Sequence, residues 1–185
     1  GLTDRLGRVD DGTAVLDFDP EERRRNVSVS AAVAPIEWKD CKLNIIDTPG
    51  LFDFEGEMCE GIAASECVLI VLGAGHKYDV GAEKAFKAAK KRGKMFAITR
   101  CDKEHADFYK TFEEIKAVHG GAVCPVIVPY IVDGQVKAYV NLAARKGYEY
   151  HDGDAVEIPM PDDPKIQEML DILTEAVATA SDELM

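Results

Sequence analysis

The 185-residue chain carries 22 basic and 34 acidic residues, a formal charge of −12, with 46% apolar and 30% charged residues. Such a length can bury a core without staples, and the composition excludes a disordered chain. The acidic balance argues against holding nucleic acid or an anionic membrane through whole-body charge, so sequence-specific DNA binding is not expected.

The elements follow in chain order. The polar stretch to Asn26, with Asp10-Asp11-Gly12 and Glu21-Glu22-Arg23-Arg24-Arg25, reads as a long loop holding at most one helical turn. The runs from Val27 to Trp38 and from Cys41 to Ile46, joined at Lys39-Asp40, predict an antiparallel hairpin stopping at Asp47-Thr48-Pro49-Gly50. Helix is expected over Glu55–Glu66, strand over Val68–Leu72, helix over Val80–Arg92, strand over Met95–Ile98 and helix over Phe108–His119. The two strands are apolar on both faces, as buried parallel strands require, and the alternation predicts an α/β domain with a mostly parallel sheet. Lys90, Lys91 and Arg92 suit a helix C-terminus, and Gly93 its cap.

Gly120-Gly121 breaks that rhythm. Strand at Val126–Val128, a turn at Asp133-Gly134, short strands at Val136–Val140 and Tyr148–Tyr150, and a turn at Asp152-Gly153-Asp154 follow. Pro159, Pro161 and Pro164 punctuate a linker into an amphipathic helix over Lys165–Ala180. We expect one domain over residues 1–119 and a second, small α+β subdomain over 120–185.

The five cysteines, Cys41, Cys59, Cys67, Cys101 and Cys124, include no CxxC pair. Disulfide and zinc frameworks are not expected, and the cysteines read as small core residues of a reducing, cytosolic compartment. The four histidines share no metal-like spacing. The longest apolar run, Cys67–Leu72, is too short to cross a bilayer, and the N-terminus lacks a signal-peptide centre.

Asp47 and Gly50 fall at the carboxyl end of one strand and Asp102 at the end of another, the edge where open α/β sheets bind ligands. A carboxylate at position 47 suits Mg²⁺, and a glycine lets a backbone N–H approach a phosphate oxygen. A plain strand stop explains the same residues. Asp102 could accept the ring N–H and amino N–H of guanine. The Ser28 hydroxyl could complete a cation shell, or simply face solvent. Asp17 and Asp19 are acidic but lack an evident partner cluster, and Arg23–Arg25 read equally as an RNA-phosphate contact or as arginines paired with Glu21 and Glu22.

Arg5–Thr13, Asp17–Glu22, Trp38, Asn44–Gly50, Asp102–Phe108 and the C-terminal Ser181–Met185, read in order, resemble bacterial elongation factor G, a family of translational GTPases whose G domain is interrupted by an inserted subdomain. The resemblance implies a P-loop NTPase-like, Ras-like α/β fold with helices on both sheet faces, incomplete here at both ends, plus the small α+β insert. It implies GTP/GDP and Mg²⁺ as cofactors. It makes Arg23–Ser30 the first switch loop, Ser28 and Asp47 the Mg²⁺ residues, Gly50 the γ-phosphate sensor, and Arg100 and Asp102 the guanine contacts. It implies the ribosome as partner, residues from 120 onward touching its stalk protein, in the cytoplasm and away from membranes.

Four departures from the family pattern matter more than the matches. No GxxxxGK[S/T] phosphate loop occurs in the chain. Leu51 stands where the family has a histidine that positions the attacking water, and leucine offers no hydrogen bond. Thr99-Arg100-Cys101-Asp102 replaces the NKxD pattern. The last sheet strand of the family G domain has no counterpart. Four phosphate charges would therefore face an acidic chain without a cradle, and weak or absent GTP binding is expected. The family strand central to the sheet is also unmatched. Its lack should leave the strand ending at Asp47 and that ending near Leu72 with open edges, a self-association hazard that direct pairing of the neighbours, oligomerisation or further sequence would close. A second reading, a degenerate G-domain relative that docks on ribosomes or translation proteins without catalysis, draws on Leu51, Thr99 and Arg100.

Overall fold

A computed structural model describes residues 7–151 and 154–183, with side chains through residue 180. Arg5 and Leu6 of the family match, the expected turn residues Asp152 and Gly153, and the terminal Leu184 and Met185 lie outside the described residues. The chain divides into two compact units, Gly1–Ile70 with Asp79–Ala97, and Val71–Tyr78 with Ile98–Met185. This division follows packing and does not coincide with the expected boundary at 119/120.

In the first unit the polar stretch contains a helix, α1 (Pro20–Arg25), started by Asp19 in a capping box and ended by Asn26 in the left-handed region. β1 (Ala32–Trp38) and β2 (Cys41–Asp47) form the expected antiparallel hairpin, with Trp38 opposite Cys41 and Lys39 and Asp40 both at positive φ. The first strand begins later than its apolar pattern suggested, because the backbone N–H groups of Val29, Ser30 and Ala31 are taken by carboxylates rather than by a strand.

A 3₁₀ turn at Phe52–Phe54 leads into α2 (Glu55–Ala64). A Cβ at Gly61 would come 2.5 Å from the Thr48 methyl, so only glycine lets α2 lie this close to the end of β2. β3 (Cys67–Gly73), α3 (Val80–Ala88) and β4 (Gly93–Thr99) follow, β4 pairing with β3. α3 starts on Asp79 and stops at Ala89, short of the expected Arg92. The basic run has another use: Arg92 donates to the carbonyls of Ile62 and Ala63 at the C-terminus of α2, and Lys94 to those of Ala89 and Arg92. Gly93 opens β4 rather than capping the helix, and a Cβ there would lie 3.2 Å from the Cys67 sulfur.

The mostly parallel sheet is present only in pieces. Among the described residues β2 pairs with β1 alone, β3 with β4 alone, and nothing joins β2 to β3. The direct pairing of those neighbours does not occur. The expectation that β3 is buried on both faces fails as well. Ile70 and Leu72 are buried, but Leu69 and Val71 are 58% and 59% exposed. Strand alternation puts these pairs on opposite faces, and only one face has a covering. Ile36 and Leu43 lie opposite each other in the hairpin and are exposed with Trp38 and Ile45. The five cysteines are free, but Cys41, Cys59 and Cys67 are exposed rather than small core residues.

In the second unit α4 (Phe108–His119) starts on Asp107 and ends at Gly120, φ +67°. β5 (Ile127–Val132), β6 (Gln135–Asn141), β7 (Lys146–His151) and β8 (Asp154–Pro159) form an antiparallel sheet in that order. Asp133 and Gly134, both at positive φ, make the expected tight turn between Val132 and Gln135. β8 was read as turn and linker. α5 (Pro164–Glu183) starts where Asp163 accepts from the amides of Lys165 and Ile166. Its buried Ile166, Met169 and Leu170 pack with Phe108, Phe112, Val128, Val140 and Leu142 into one core. The Tyr109 hydroxyl donates to the Pro129 carbonyl at 2.7 Å, and burial, with Asp163 and Glu168 nearby, pushes its pKa up to about 12.

Candidate functional site

The arm after α1 is built around Glu22, whose residue is fully buried. One carboxylate oxygen accepts from the Asp19 amide at 2.9 Å, and the other from Val29 and Ser30 at 2.9 and 3.0 Å. Burial opposes its ionisation, but the amides of Ser30, Val29, Asp19 and Phe18 outweigh it and hold the carboxyl below its usual range. The next amide, Ala31, donates to Glu57 of α2 at 2.6 Å. Seated this way, the Ser28 hydroxyl donates to Asp17 at 2.8 Å. Asp17 therefore has the partner that its sequence context did not reveal.

Asp47 closes β2 in the same unit. Partial burial raises its pKa, and the charge of Asp17 raises it further. A hydrogen bond from the Thr48 backbone works against these, and Glu22 adds a smaller upward push. The charge of Asp17, which accepts from Ser28, is thus felt at Asp47. Gly50 is exposed, with nothing within 4 Å of where a Cβ would stand. Leu51 is 47% exposed. Of the arginines, Arg24 and Arg25 pair with Glu21, whose carboxyl falls to about 2 through hydrogen bonds from Arg24 and then Arg25. Arg23 donates to the Asp17 carbonyl, and Glu22 serves the backbone instead.

Arg100 and Asp102 lie in the second unit, in the turn after β4. Both are exposed, Arg100 has a left-handed φ of +58°, and its carbonyl accepts from Lys103. Cys101 between them is packed against the core. Burial, and then the charge of Asp102, push its thiol up. The Thr99 hydroxyl is committed to the Leu72 carbonyl at 3.2 Å. His119, expected at the surface, bonds the Tyr78 hydroxyl at 2.8 Å. Among the described residues no group of three or more His, Cys, Asp or Glu is arranged to hold a metal ion, and no helix is long and apolar enough to cross a membrane.

The family profile described as the elongation factor Tu GTP binding domain matches residues 2–179. The chain belongs to this family. It is 33% identical over 176 residues to an elongation factor G-like protein of Thermotoga maritima, covering 94% of this chain and 25% of that protein. A crystal structure of a protein from Thermus thermophilus matches with a TM-score of 0.85 at 27% identity, over 95% of this chain and 26% of that one. The chain therefore spans about a quarter of the length of these relatives. Its fold is the mixed α/β, P-loop NTPase-like fold of a Ras-type G domain.

The family implies Mg²⁺ and a guanine nucleotide, and the residues present fit the two unequally. Magnesium takes hard oxygens and commonly keeps waters beside one or two carboxylates. Ser28 and Asp47 carry oxygens of that kind, and a cation would favour the charged form of Asp47, which burial and then the charge of Asp17 disfavour. A triphosphate fits poorly. No phosphate loop is present in the sequence, and the open space around Gly50 is no cradle that a side chain would fill. No hydrolytic step can be assigned to these residues alone.

Proposed function

We propose that this chain is the switch-bearing portion of an elongation factor G-like translation factor of the GTP-binding, GTP-hydrolysing class, acting in the cytoplasm on the ribosome during elongation. The observation that carries this reading is the family match over residues 2–179; the Ser28 hydroxyl seated on Asp17, and an Asp47 carboxyl raised first by burial and then by the charge of Asp17, are in keeping with it. Ser28 and Asp47 would hold Mg²⁺, which supplies charge neutralisation for phosphate oxygens. Gly50 would offer its backbone to the γ-phosphate, Asp102 would read guanine, and Arg100 would lie against the base. Residues 1–119 would be the G-domain part, and 120–185 an insert facing the ribosomal stalk protein.

As this stretch alone, the chain binds nucleotide weakly, because nothing in it neutralises the β- and γ-phosphates. Calorimetric titration with Mg·GTP and Mg·GDP is expected to give no binding tighter than the millimolar range. A micromolar constant would overturn that part of the reading.

The second reading, a non-catalytic module that docks on translation proteins, is favoured by two observations. Leu51 offers no hydrogen bond to a water, and the Thr99 hydroxyl is used by a backbone carbonyl rather than left for a base. A ribosome-stimulated GTPase assay on the full-length protein separates the two. Turnover supports the first, and ribosome binding without turnover supports the second.

A further inference from the structure

Three consecutive backbone amides of the Ser28 arm, at Val29, Ser30 and Ala31, end on carboxylates of two different helices, Glu22 of α1 and Glu57 of α2. Backbone amides in an irregular segment normally go to water, to other backbone or to a ligand. Here the protein supplies the anions itself. Glu22 is the stronger holder. It is fully buried and serves two arm amides and the helix N-cap at once, so its carboxylate has no water to fall back on. The Glu22 main-chain carbonyl also accepts from Asn26 and from Val27, closing the turn that leads into the arm.

We propose that Glu22 and Glu57 form a carboxylate clamp that seats the Ser28 arm against α1 and α2 without any ligand, with Glu22 as its main positioning residue. The clamp does to residues 29–31 what an anionic ligand would otherwise do. It fixes the Ser28 hydroxyl on Asp17 and ties the arm to the helix that follows the Asp47–Gly50 element. The two segments that frame the candidate cation site are thereby joined. The clamp holds whether or not the chain binds nucleotide, so its test is separate from that of the proposed function.

Two substitutions probe it. A glutamine at 22 keeps the volume but must turn its amide nitrogen toward one of the backbone donors that the carboxylate now serves, and it removes the charge from the others. A glutamine at 57 affects one amide.

Amide hydrogen exchange on the ligand-free chain, read residue by residue by NMR, provides the test. In the native protein Val29, Ser30 and Ala31 are expected to be protected. Glu22→Gln should speed exchange at Val29 and Ser30 by about tenfold or more while the β1–β2 ladder keeps its protection. Glu57→Gln should speed Ala31 alone. Ser28→Ala removes only the hydroxyl bond to Asp17 and should leave all three amides protected.

Unprotected arm amides in the native chain would overturn the clamp. So would unchanged exchange in Glu22→Gln, or exchange of the ladder together with the arm, which would make Glu22 a general support of the hairpin. Release of the arm by Ser28→Ala to the same extent as by Glu22→Gln would shift the anchoring role to Ser28 and overturn it too.

Discussion

In the second unit, α4, α5 and the β5–β8 sheet enclose side chains that are 8% exposed or less, from Phe108 to Leu170. In the first, two separate strand pairs carry Trp38 at 63% exposure, Leu69 at 58% and Met95 at 64%. The second unit is held by apolar packing. The first is held to a larger degree by directed polar bonds: the Glu22 and Glu57 carboxylates on backbone amides, Arg92 on the end of α2, and Lys84 on Glu55 at 2.6 Å. Packing tolerates small shifts and is sensitive to lost volume. Directed bonds tolerate volume change and are sensitive to lost partners.

The contrast can be broken most forcefully in the second core. Met169→Ala removes a fully buried side chain and is expected to cost about 2–5 kcal/mol in urea denaturation, with the loss of protection confined to the second unit in hydrogen exchange. A smaller effect is expected at Tyr109. Its folded pKa lies above the ordinary tyrosine value, so its contribution is fully present below pH about 10 and is lost as pH rises toward about 12. Tyr109→Phe should remove that alkaline loss and cost about 0.5–1.5 kcal/mol at neutral pH for the bond to Pro129. Stability measured at pH 7 and pH 11 in both proteins checks the sign.

The smallest stability change is expected at the open face of the first unit. Leu69→Ser should move stability by no more than about 0.5 kcal/mol, because the leucine has little to lose. It should, however, reduce self-association measured by light scattering, if the open strand edges and their apolar face draw copies together. A large destabilisation would mean that this face is covered in solution, and would erase the contrast between the units.

The second unit was largely legible from its sequence. The period of α4 and α5 and the Asp133-Gly134 turn placed two helices and one hairpin within a few residues. β8 escaped because Asp154–Pro159 alternates weakly and ends in proline, so only pairing with β7 reveals it. In the first unit the βα alternation was legible and the burial was not. Apolar runs in β2 and β3 say that a strand expects neighbours on both faces, not that the neighbours are present. The candidate site divided the same way. Ser28 and Asp47 came from motif resemblance, whereas Glu22 and Asp17 looked like solvated acids in a charged run. The role of Glu22 depends on backbone amides, which carry no sequence letter, and that of Asp17 on a serine distant in the chain. The one available signal was Asp19 followed three residues later by Glu22, the spacing of a capping box.

The Arg92 guanidinium has a mechanical consequence. It sits one residue before β4 and grips the last carbonyls of α2, while Lys94 inside the strand grips the turn that precedes it. The trailing end of α2 and the leading end of β4 are therefore geared together. A helix that slid or rotated after the Asp47–Gly50 element would drag the start of β4 with it or shed both carbonyl bonds. Movement begun at the Asp47–Gly50 end of α2 would thus reach the base of a sheet strand through one side chain, with no change in the strand's own sequence or pairing.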